Sequence, residues 1–126
     1  MEKEYVMQVA ETIRRQLVTL TPTSVLLSWG IRKLYATVFK DMPSLVLHVN
    51  GRLFKGYVVI CLNGSDYYEV YLRNGRDVQC LCDEVRFDEL RNLIDEHIES
   101  GTDKAEYNRF CQQQLNILLK TSQKQL

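Results

Sequence analysis

The fold is decided by the stretch from Leu45 to Arg73, which reads LVLHVNGRLFKGYVVICLNGSDYYEVYLR. Its apolar and aromatic runs are broken by Asn-Gly at residues 50–51 and 63–64, and a third Asn-Gly follows at residues 74–75. This pair suits the positive φ of tight hairpin turns, because glycine has no Cβ and asparagine tolerates the left-handed region. Three such turn signals at this spacing predict an antiparallel meander of strands.

Further strands are predicted before and after this stretch. Residues 32–40 alternate in character, so a strand there places one set of side chains on each face. One face carries Leu34, Ala36 and Val38, and the other carries Lys33, Tyr35, Thr37 and Phe39. The segment at residues 41–43 is predicted to end this strand, and residues 78–82 are predicted to form the last one. The sheet then has about five strands, which is a usual size.

An amphipathic helix is predicted before the sheet. Residues 3–20 carry an apolar stripe at helical spacing. Pro22 ends this helix, because the residue before a proline is pushed out of helical geometry. Residues 24–29 fit either a helical turn or the lead-in to a strand. The members of the stripe are Val6, Val9, Ile13, Leu17 and Leu20.

Two more helices are predicted after the sheet. The first covers residues 83–100, with Asp83 as its N-cap and Gly101 as its stop signal. Its apolar stripe consists of Phe87, Leu90, Leu93, Ile94, His97 and Ile98. Thr102 can cap the second, which runs to about residue 121. The apolar side of that helix carries Tyr107, Phe110, Cys111, Leu115, Leu118 and Leu119.

This order of elements, with the strands in one block and helices at both ends, predicts a single α+β domain over residues 1–126 with its helices stacked on one sheet face. Alternation places Tyr68, Val70 and Leu72 on the same apolar face. Because helices need an apolar partner surface, we expect them to cover that face; a one-residue slip of register would exchange the two faces. We also expect Val70→Ala to cost about 1–3 kcal/mol and Tyr71→Ala, on the other face, much less.

Composition narrows the class of protein. The chain has 126 residues, of which 45% are hydrophobic, and this is sufficient for one core. Its 16 basic and 16 acidic residues give a formal net charge of zero, which argues against a protein whose main task is to grip phosphate backbones. Neutrality also permits association of the chain with itself or with a partner.

The sequence predicts a cytoplasmic protein without a membrane partner. It has no apolar run near the ~20 residues that span a bilayer. Its first residues, Met1-Glu2-Lys3-Glu4, carry charges of both signs. They lack the basic start and apolar centre of a signal peptide.

No motif for catalysis or for a cofactor is found in the sequence. Glycines 51, 56 and 64 lie in predicted hairpins, whereas phosphate-binding loops need a strand followed by a helix N-terminus. The acidic residues of the first C-terminal helix are interleaved with arginines, which is typical of a solvated face rather than of paired catalytic carboxylates. They are Asp83, Glu84, Asp88, Glu89, Asp95, Glu96 and Glu99. We therefore predict a protein that is not an enzyme and has no cofactor.

Cys61, Cys80, Cys82 and Cys111 are predicted to be free, buried thiols in a reducing compartment. Residues 80 and 82 are two apart on a predicted strand, so their side chains share a face. Cys-x-Cys is a poor zinc knuckle, and the histidines at 48 and 97 lack histidine neighbours, so no metal site is predicted. A Cys-His nucleophile pair forms in space rather than in sequence, and the sequence neither supports nor excludes one.

The candidate binding residues lie on the face opposite the predicted helices. If the strands align as predicted, that face carries Lys33, Tyr35, Lys55, Tyr57, Tyr67, Tyr71 and Arg73. The simplest interpretation is that tyrosines fit a half-exposed pleated surface and have no further role. A protein interface ranks next, because tyrosine and arginine are enriched at interfaces. Stacking of unpaired nucleic-acid bases ranks third.

Three segments carry a resemblance to a known group of proteins. They are VNGRLFKG at residues 49–56, LNGSDYYEVYL at residues 62–72 and DEVRFDEL at residues 83–90. With these segments, residues 28–100 resemble small bacterial proteins of unknown function that are often found with mobile elements. The resemblance implies a bacterial source, and it brings no activity and no site residue with it.

These observations together predict a non-catalytic protein-interaction module. Its binding surface is the tyrosine-bearing sheet face, and its partner is another protein or a second copy of the chain in a homodimer. The alternative is an accessory protein that binds single-stranded nucleic acid with the same face, in which case its affinity must fall as salt rises.

Overall fold

The structure, a computed structural model, describes the backbone of residues 1–124 and the side chains of residues 1–120. The chain begins with α1 (Lys3–Leu20) and α2 (Thr23–Ser28). The strands are β1 (Lys33–Phe39), β2 (Met42–Asn50), β3 (Lys55–Leu62), β4 (Tyr68–Asn74) and β5 (Asp77–Val85). A 3-10 turn (Phe87–Glu89) then leads into α3 (Leu90–Asp95), a π-helical turn (Glu96–Ser100) and α4 (Lys104–Lys124).

The strands form one antiparallel sheet in the order β1-β2-β3-β4-β5. This meander, with α1 before it and helices after it, confirms the predicted α+β fold class. Residues 24–29, for which two interpretations stayed open, belong to helix α2 and its C-cap at Trp29. The predicted stripe of α1 is buried with Ala10 added to it, whereas Leu20 is exposed at the end of the helix.

The first hairpin turns earlier than the sequence predicted. Its turn consists of Lys40 and Asp41, with φ angles of 50° and 61°. Phe39 therefore pairs with Met42, and Pro43 lies inside β2 rather than in a break. Consecutive positive φ angles match the right-handed twist of the flanking strands, so this turn closes a tight hairpin without Asn-Gly.

The Asn-Gly pairs have different roles from those predicted. Only the last of the three uses a glycine with positive φ, which is 62° at Gly75. In the loop after β3, the Asn63 side chain closes the turn, because its Oδ1 accepts N–H groups from Ser65 and Tyr67 at 2.9 and 3.1 Å. The prediction of hairpins at these places is correct, whereas the predicted backbone geometry is wrong for the first two pairs.

Gly51 allows a close approach between the β2–β3 loop and the π-helical turn. A Cβ at this position would overlap the carbonyl oxygen of Ile98. That oxygen accepts N–H groups from Leu53 at 2.8 Å and from Phe54 at 3.3 Å. The loop is thus held against the C-terminal segment by backbone hydrogen bonds, and a side chain at residue 51 would prevent this.

Arg52 extends the same junction with side-chain hydrogen bonds. Its backbone N–H donates to Glu99 Oε2 at 2.7 Å, and its Nε donates to the Glu99 carbonyl at 3.0 Å. Its Nη2 donates to the Ser100 carbonyl at 3.1 Å. Glu99 is buried, and the bond from the Arg52 backbone N–H satisfies one oxygen of a carboxylate that would otherwise be costly to bury.

The main core lies between the helices and one face of the sheet, which we call the helix-covered face. Val70 is 0% exposed there, so the prediction that helices cover the face of Tyr68, Val70 and Leu72 is confirmed. The sheet contributes Leu45, Leu47, Val49, Val58, Ile60, Tyr68, Val70 and Leu72, and the helical segments contribute Ile13, Leu17, Trp29, Leu90, Ile94 and Ile98.

The predicted start of the helix at Asp83 is wrong. Strand β5 continues to Val85, because it stays paired with β4 as far as Tyr68. The helical segment begins after Arg86, whose backbone N–H donates to the Glu89 carboxylate at 2.9 Å. Phe87, predicted as part of the apolar stripe, lies in the first helical turn with half of its surface exposed.

Helix α4 is capped by Asp103 rather than by Thr102. Asp103 Oδ1 accepts the Glu106 N–H at 3.0 Å, which satisfies one of the unpaired donors in the first turn. Beyond Phe110 the predicted apolar stripe is exposed: Leu115 and Leu118 are 50% and 65% exposed. The helix therefore leaves the domain after its second turn instead of packing on the sheet along its whole length.

The prediction that Cys80 and Cys82 share a face is wrong. In the register of β5 against β4, Cys80 lies opposite Tyr71 and Cys82 lies opposite Val70, with a β-bulge between the two pairs. Successive residues of β4 point to opposite faces, so the extra residue of the bulge moves the cysteines onto different faces. All four cysteines are free, but only Cys61 is buried, whereas Cys80 and Cys111 are exposed.

Candidate binding face

The face of the sheet opposite the helices is called here the open face. The register of β1 to β4 places Lys33, His48, Tyr57 and Arg73 side by side in one row across it. We call these residues the cationic row. Each is exposed or half-buried, so the row is accessible to a partner. Directly opposed residues in neighbouring strands have their side chains in contact range, so the row acts as one surface.

The next row along the strands is apolar. It consists of Tyr35, Val46, Val59 and Tyr71 in the same strand order, and we call it the apolar row. Val46, Val59 and Tyr71 are buried in a second cluster that Phe39, Met42 and Tyr57 join. All of these are strand residues, so within the described side chains this cluster is closed by the sheet itself.

Tyr71 is not available for binding as the sequence predicted. It is 5% exposed, with the ring of Phe39 at 5.1 Å and the Lys40 Nζ 4.7 Å from its ring centroid. Its hydroxyl donates to Glu69 Oε1 at 2.6 Å. This hydrogen bond to a carboxylate, together with burial, raises the pKa of Tyr71. The residue is a structural part of the open face because the β1–β2 hairpin folds over it.

Tyr67 does not belong to the open face. It lies before β4, in the loop closed by Asn63, and is therefore outside the strand alternation that was predicted to include it. It lines a cavity of about 370 Å³ on the helix side of the sheet, together with Gln16, Leu62 and Arg86. The reason is the asparagine turn, which takes residue 67 out of the pleat.

The remaining predicted residues do come together. Lys33, Tyr35, Tyr57 and Arg73 occupy the two rows, and Lys55 precedes Tyr57 on the same side of β3. Lys33 Nζ lies 5.5 Å from the ring centroid of Tyr35, which is within cation–π range. Five of the predicted residues therefore form one continuous surface at the end of the sheet where β1 begins and β4 ends.

His48 belongs to this surface and was missed as a binding residue. Its ring stacks on Tyr57, with centroids 4.7 Å apart and an interplanar angle of 16°. The signal was present in the sequence, because residue 48 lies two positions after Val46 in a strand that pairs with β3. Residues two apart in a strand share a face of the sheet. The sequence raised only two roles for this residue, that of a metal ligand and that of the partner of a cysteine nucleophile.

A groove separates β1 from the end of β4 on the open face. Its volume is about 280 Å³. Tyr35, Phe39, Tyr57 and Arg73 line its sides, and Val46 and Val59 form its floor. The groove can take an apolar or aromatic group, with the Arg73 guanidinium available at its rim.

The charge of the open face differs from that of the whole chain. The cationic row supplies the bases Lys33 and Arg73, and Lys55 lies beside it at the start of β3. The row that follows the apolar row, Thr37–Ser44–Cys61–Glu69, supplies one carboxylate. Glu69 already accepts hydrogen bonds from Tyr71 and from Asn63 Nδ2. A protein of zero net charge thus carries a local basic patch, which attracts anionic groups.

The cysteines and histidines are placed in unrelated surroundings. Burial raises the pKa of Cys61 to about 11, so its thiol stays protonated at neutral pH. His48 stacks on Tyr57, and His97 Nδ1 is 2.8 Å from the Leu93 carbonyl in its own helix. Over the part of the chain that the structure describes, no three His, Cys, Asp or Glu side chains are grouped so that they could hold a metal ion.

No protein family, curated protein sequence or solved structure matches the chain. The resemblance to small bacterial proteins therefore stays a prediction. Within the described residues, none of the helices combines the length and the apolar character needed to cross a bilayer.

Proposed function

We propose that the protein is a non-catalytic interaction module whose open face binds an acidic segment of a partner protein in the cytoplasm. The observation that carries this proposal is the cationic row beside a groove with aromatic walls. Lys33, Lys55 and Arg73 form no ion pair with any acid in the part of the chain that the structure describes, so they can attract carboxylates, and the groove supplies an apolar contact next to them. This combination of aromatic anchor and charge is typical of protein interfaces.

The two rows give separate contributions to such binding. Arg73 presents a planar guanidinium that can bind a carboxylate with two parallel hydrogen bonds, whereas Lys33 and Lys55 act as point charges. Tyr35 and Tyr57 offer ring surface at low entropic cost. One apolar side chain of the partner fills the groove between them, and acidic residues on both sides of it meet the cations.

The proposal is tested by binding of an acidic peptide. The probe is a fluorescent peptide with one phenylalanine flanked by glutamates, measured by anisotropy. We expect Arg73→Glu to weaken binding at least tenfold, because it replaces attraction with repulsion. Arg15→Glu is the matched control, since it makes the same charge change at an exposed site on α1 and should leave affinity within twofold. Equal effects of the two variants would overturn the proposal.

Single-stranded nucleic acid is the second candidate, and the stacked pair His48–Tyr57 favours it. A flat ring pair flanked by Lys33 and Arg73 is an arrangement on which an unpaired base can stack while cations contact phosphates. The discriminating measurement compares oligo-dT with an abasic oligonucleotide of the same length. If bases stack, Tyr57→Ala should reduce binding of oligo-dT and leave the weak binding of the abasic strand unchanged. Equal affinity for both strands would contradict base stacking.

The open face itself is a poor surface for a homodimer. In a two-fold arrangement of two open faces, the cationic row of one copy would face the cations of the other. Like charges brought together in this way oppose association. The predicted homodimer therefore needs another surface.

A further inference from the structure

The chain itself carries an exposed aromatic residue between acids, at the end of β5. Residues 83–89 read DEVRFDE, and we call them the Phe87 segment. Phe87 is 50% exposed, and among the described side chains it joins neither of the two core clusters. The acids on both sides of it, Asp83, Glu84, Asp88 and Glu89, are exposed as well. The domain therefore does not use this ring for its own core.

The charge of the Phe87 segment is opposite to that of the open face. Its four carboxylates and the one guanidinium of Arg86 leave a net charge of −3. Over the part of the chain that the structure describes, none of these carboxylates forms an ion pair. Glu89 accepts the Arg86 backbone N–H, and this bond fixes the turn that presents Phe87 to solvent. The segment thus combines an aromatic ring with acids on both sides, and the open face combines an aromatic-walled groove with cations.

The Phe87 segment cannot reach the groove of its own molecule. Val85 pairs with Tyr68 at the start of β4, whereas Arg73, at the rim of the groove, lies five residues further along that strand. Five residues of strand span about 17 Å. Phe87 also lies on the helix side of the sheet, where it lines the same cavity as Gln16 of α1. The sheet separates the two sites, so a contact between them joins different molecules.

We propose that the acidic segment bound by the open face is the Phe87 segment of a second copy of the chain. This inference rests on the proposed function of the open face and names its partner. The Phe87 ring fills the groove between Tyr35 and Tyr57 of the other copy. The acids before and after the ring then meet the cations that flank the groove.

The length of the Phe87 segment suits the spacing of these cations. Lys33 and Arg73 stand in one row, on the first and the fourth strand of the sheet. Three strand spacings separate their backbones by about 14 Å. The chain from Glu84 to Asp88 spans at most about 14 Å when it is extended, and the long side chains of the cations shorten the distance to be covered. One segment can therefore engage cations on both sides of the groove.

Such a contact is head-to-tail, because it joins two different surfaces. Each complex keeps one free groove and one free segment, so association continues into chains or closes into a ring. The arrangement avoids the like-charge contact that opposes the pairing of two open faces. The mass should therefore rise with concentration beyond that of a dimer, and it should fall as salt screens the charges.

The first experiment measures the mass of the intact chain by sedimentation equilibrium across the micromolar range. We expect wild-type oligomers, whereas Arg73→Glu, which disables the groove, and Phe87→Ser, which disables the segment, should each give a monomer. An equimolar mixture of the two variants should give a dimer and nothing larger, because one variant supplies an intact segment and the other an intact groove. A monomeric wild-type chain, or a mixture that stays monomeric, would overturn the proposal.

Two matched controls accompany these variants. Arg15→Glu makes the same charge change as Arg73→Glu at an exposed site on α1. Leu27→Ser removes an apolar side chain that is 76% exposed on α2, as Phe87→Ser removes one from the segment. Both controls should keep the self-association of the wild type within twofold. Controls that weaken it as strongly as the matched variants would contradict a contact between these two surfaces.

Competition separates this inference from the proposed function. The fluorescent peptide with one phenylalanine flanked by glutamates is added in excess to the wild-type oligomers. They should dissociate into monomers, because the peptide and the Phe87 segment occupy the same groove. If the peptide binds and the oligomers persist, this inference is wrong and the proposed function stands. If the peptide does not bind, both are wrong.

Discussion

The two faces of strand β3 are buried to the same degree by different neighbours. Val58 and Ile60 lie in the core that the sheet forms with the helices, and both are 0% exposed. Val59 and Cys61 point the other way and are 2% and 0% exposed, although the side chains around them come from the strands alone. The burial of Val59 and Cys61 on the open face is therefore produced by neighbouring strand residues, including Phe39 and Met42 of the β1–β2 hairpin, and not by helices.

This difference separates stability from binding on the open face. Tyr71 and Phe39 close the second cluster, and their rings hold the floor of the groove in place. Lys33 and Arg73 are exposed and contribute little to that cluster. Substitutions of the buried Val46, Val59 and Tyr71 should therefore change folding, and substitutions of the exposed Lys33 and Arg73 should change binding.

The largest loss of stability is expected on the helix-covered face at Trp29. Its side chain is 0% exposed, and its Nε1–H donates to Asp95 Oδ1 at 2.8 Å. Trp29→Ala should lower the free energy of unfolding by about 3–5 kcal/mol, because it leaves a large cavity. Denaturant titration followed by far-UV circular dichroism measures this. Trp29→Phe is the control that keeps most of the ring, and a loss as large as that of alanine would show that the cavity is not the cause.

The next loss is expected on the open face at Tyr71, where the sequence predicted a small one. Because the ring is buried against Phe39, Tyr71→Ala should cost about 3 kcal/mol, near the lower end for buried aromatic residues, since the hairpin can relax over the gap. Tyr71→Phe keeps the ring and removes only the hydrogen bond to Glu69, so about 1 kcal/mol is expected. A negligible cost for Tyr71→Ala would mean that the hairpin does not cover this face.

Val70, the neighbour of Tyr71 on β4, tests the helix-covered face with a smaller change. Val70→Ala removes two buried methyl groups from a side chain that is 0% exposed, and about 1–3 kcal/mol should be lost. It should leave binding of the acidic peptide unchanged, because Val70 points away from the open face. A variant that folds as stably as the wild type would contradict the register of β4.

The sequence predicted the parts of the fold that depend on periodicity. Alternation in β4 identified the helix-covered face, and the stripe of α1 gave that helix its bounds. The run Val58-Val59-Ile60-Cys61 also carried a signal that was not used, because a continuous apolar run is typical of a strand buried on both faces. That signal would have placed Tyr71 in a second cluster rather than on a free surface.

The errors came from features that no periodic pattern contains. A β-bulge adds one residue to β5 and moves Cys82 to the other face. An asparagine side chain takes Tyr67 out of β4, and the turn at Lys40 and Asp41 has no Asn-Gly. In α4 the apolar stripe was recognised, but the stripe alone does not state whether the rest of the domain covers it. The cations and two of the tyrosines of the candidate site were predicted, whereas His48, which alternation with Val46 also places on the open face, was not included.

The smallest energetic effect is expected at the two cysteines of β5, which also test the separation of the faces. Cys80 is exposed on the open face, whereas Cys82 is half-buried toward the helices. Cys80→Ser should change the free energy of unfolding by less than about 0.5 kcal/mol, as is usual for exposed positions. Alkylation by iodoacetamide, followed by mass spectrometry of the peptides, should modify Cys80 and Cys111 first and Cys82 more slowly.

Cys61 supplies the internal reference for that experiment. Its thiol is buried and its pKa is raised to about 11, so the reactive thiolate is scarce below that pH and the residue should react only when the protein unfolds. A rise in pH toward 11 should increase its reaction rate only if it is also accessible. If Cys80 and Cys82 react at the same rate in the folded protein while Cys61 stays protected, the two cysteines share a face. The bulge in β5, and with it the position of Cys80 beside Tyr71, would then be wrong.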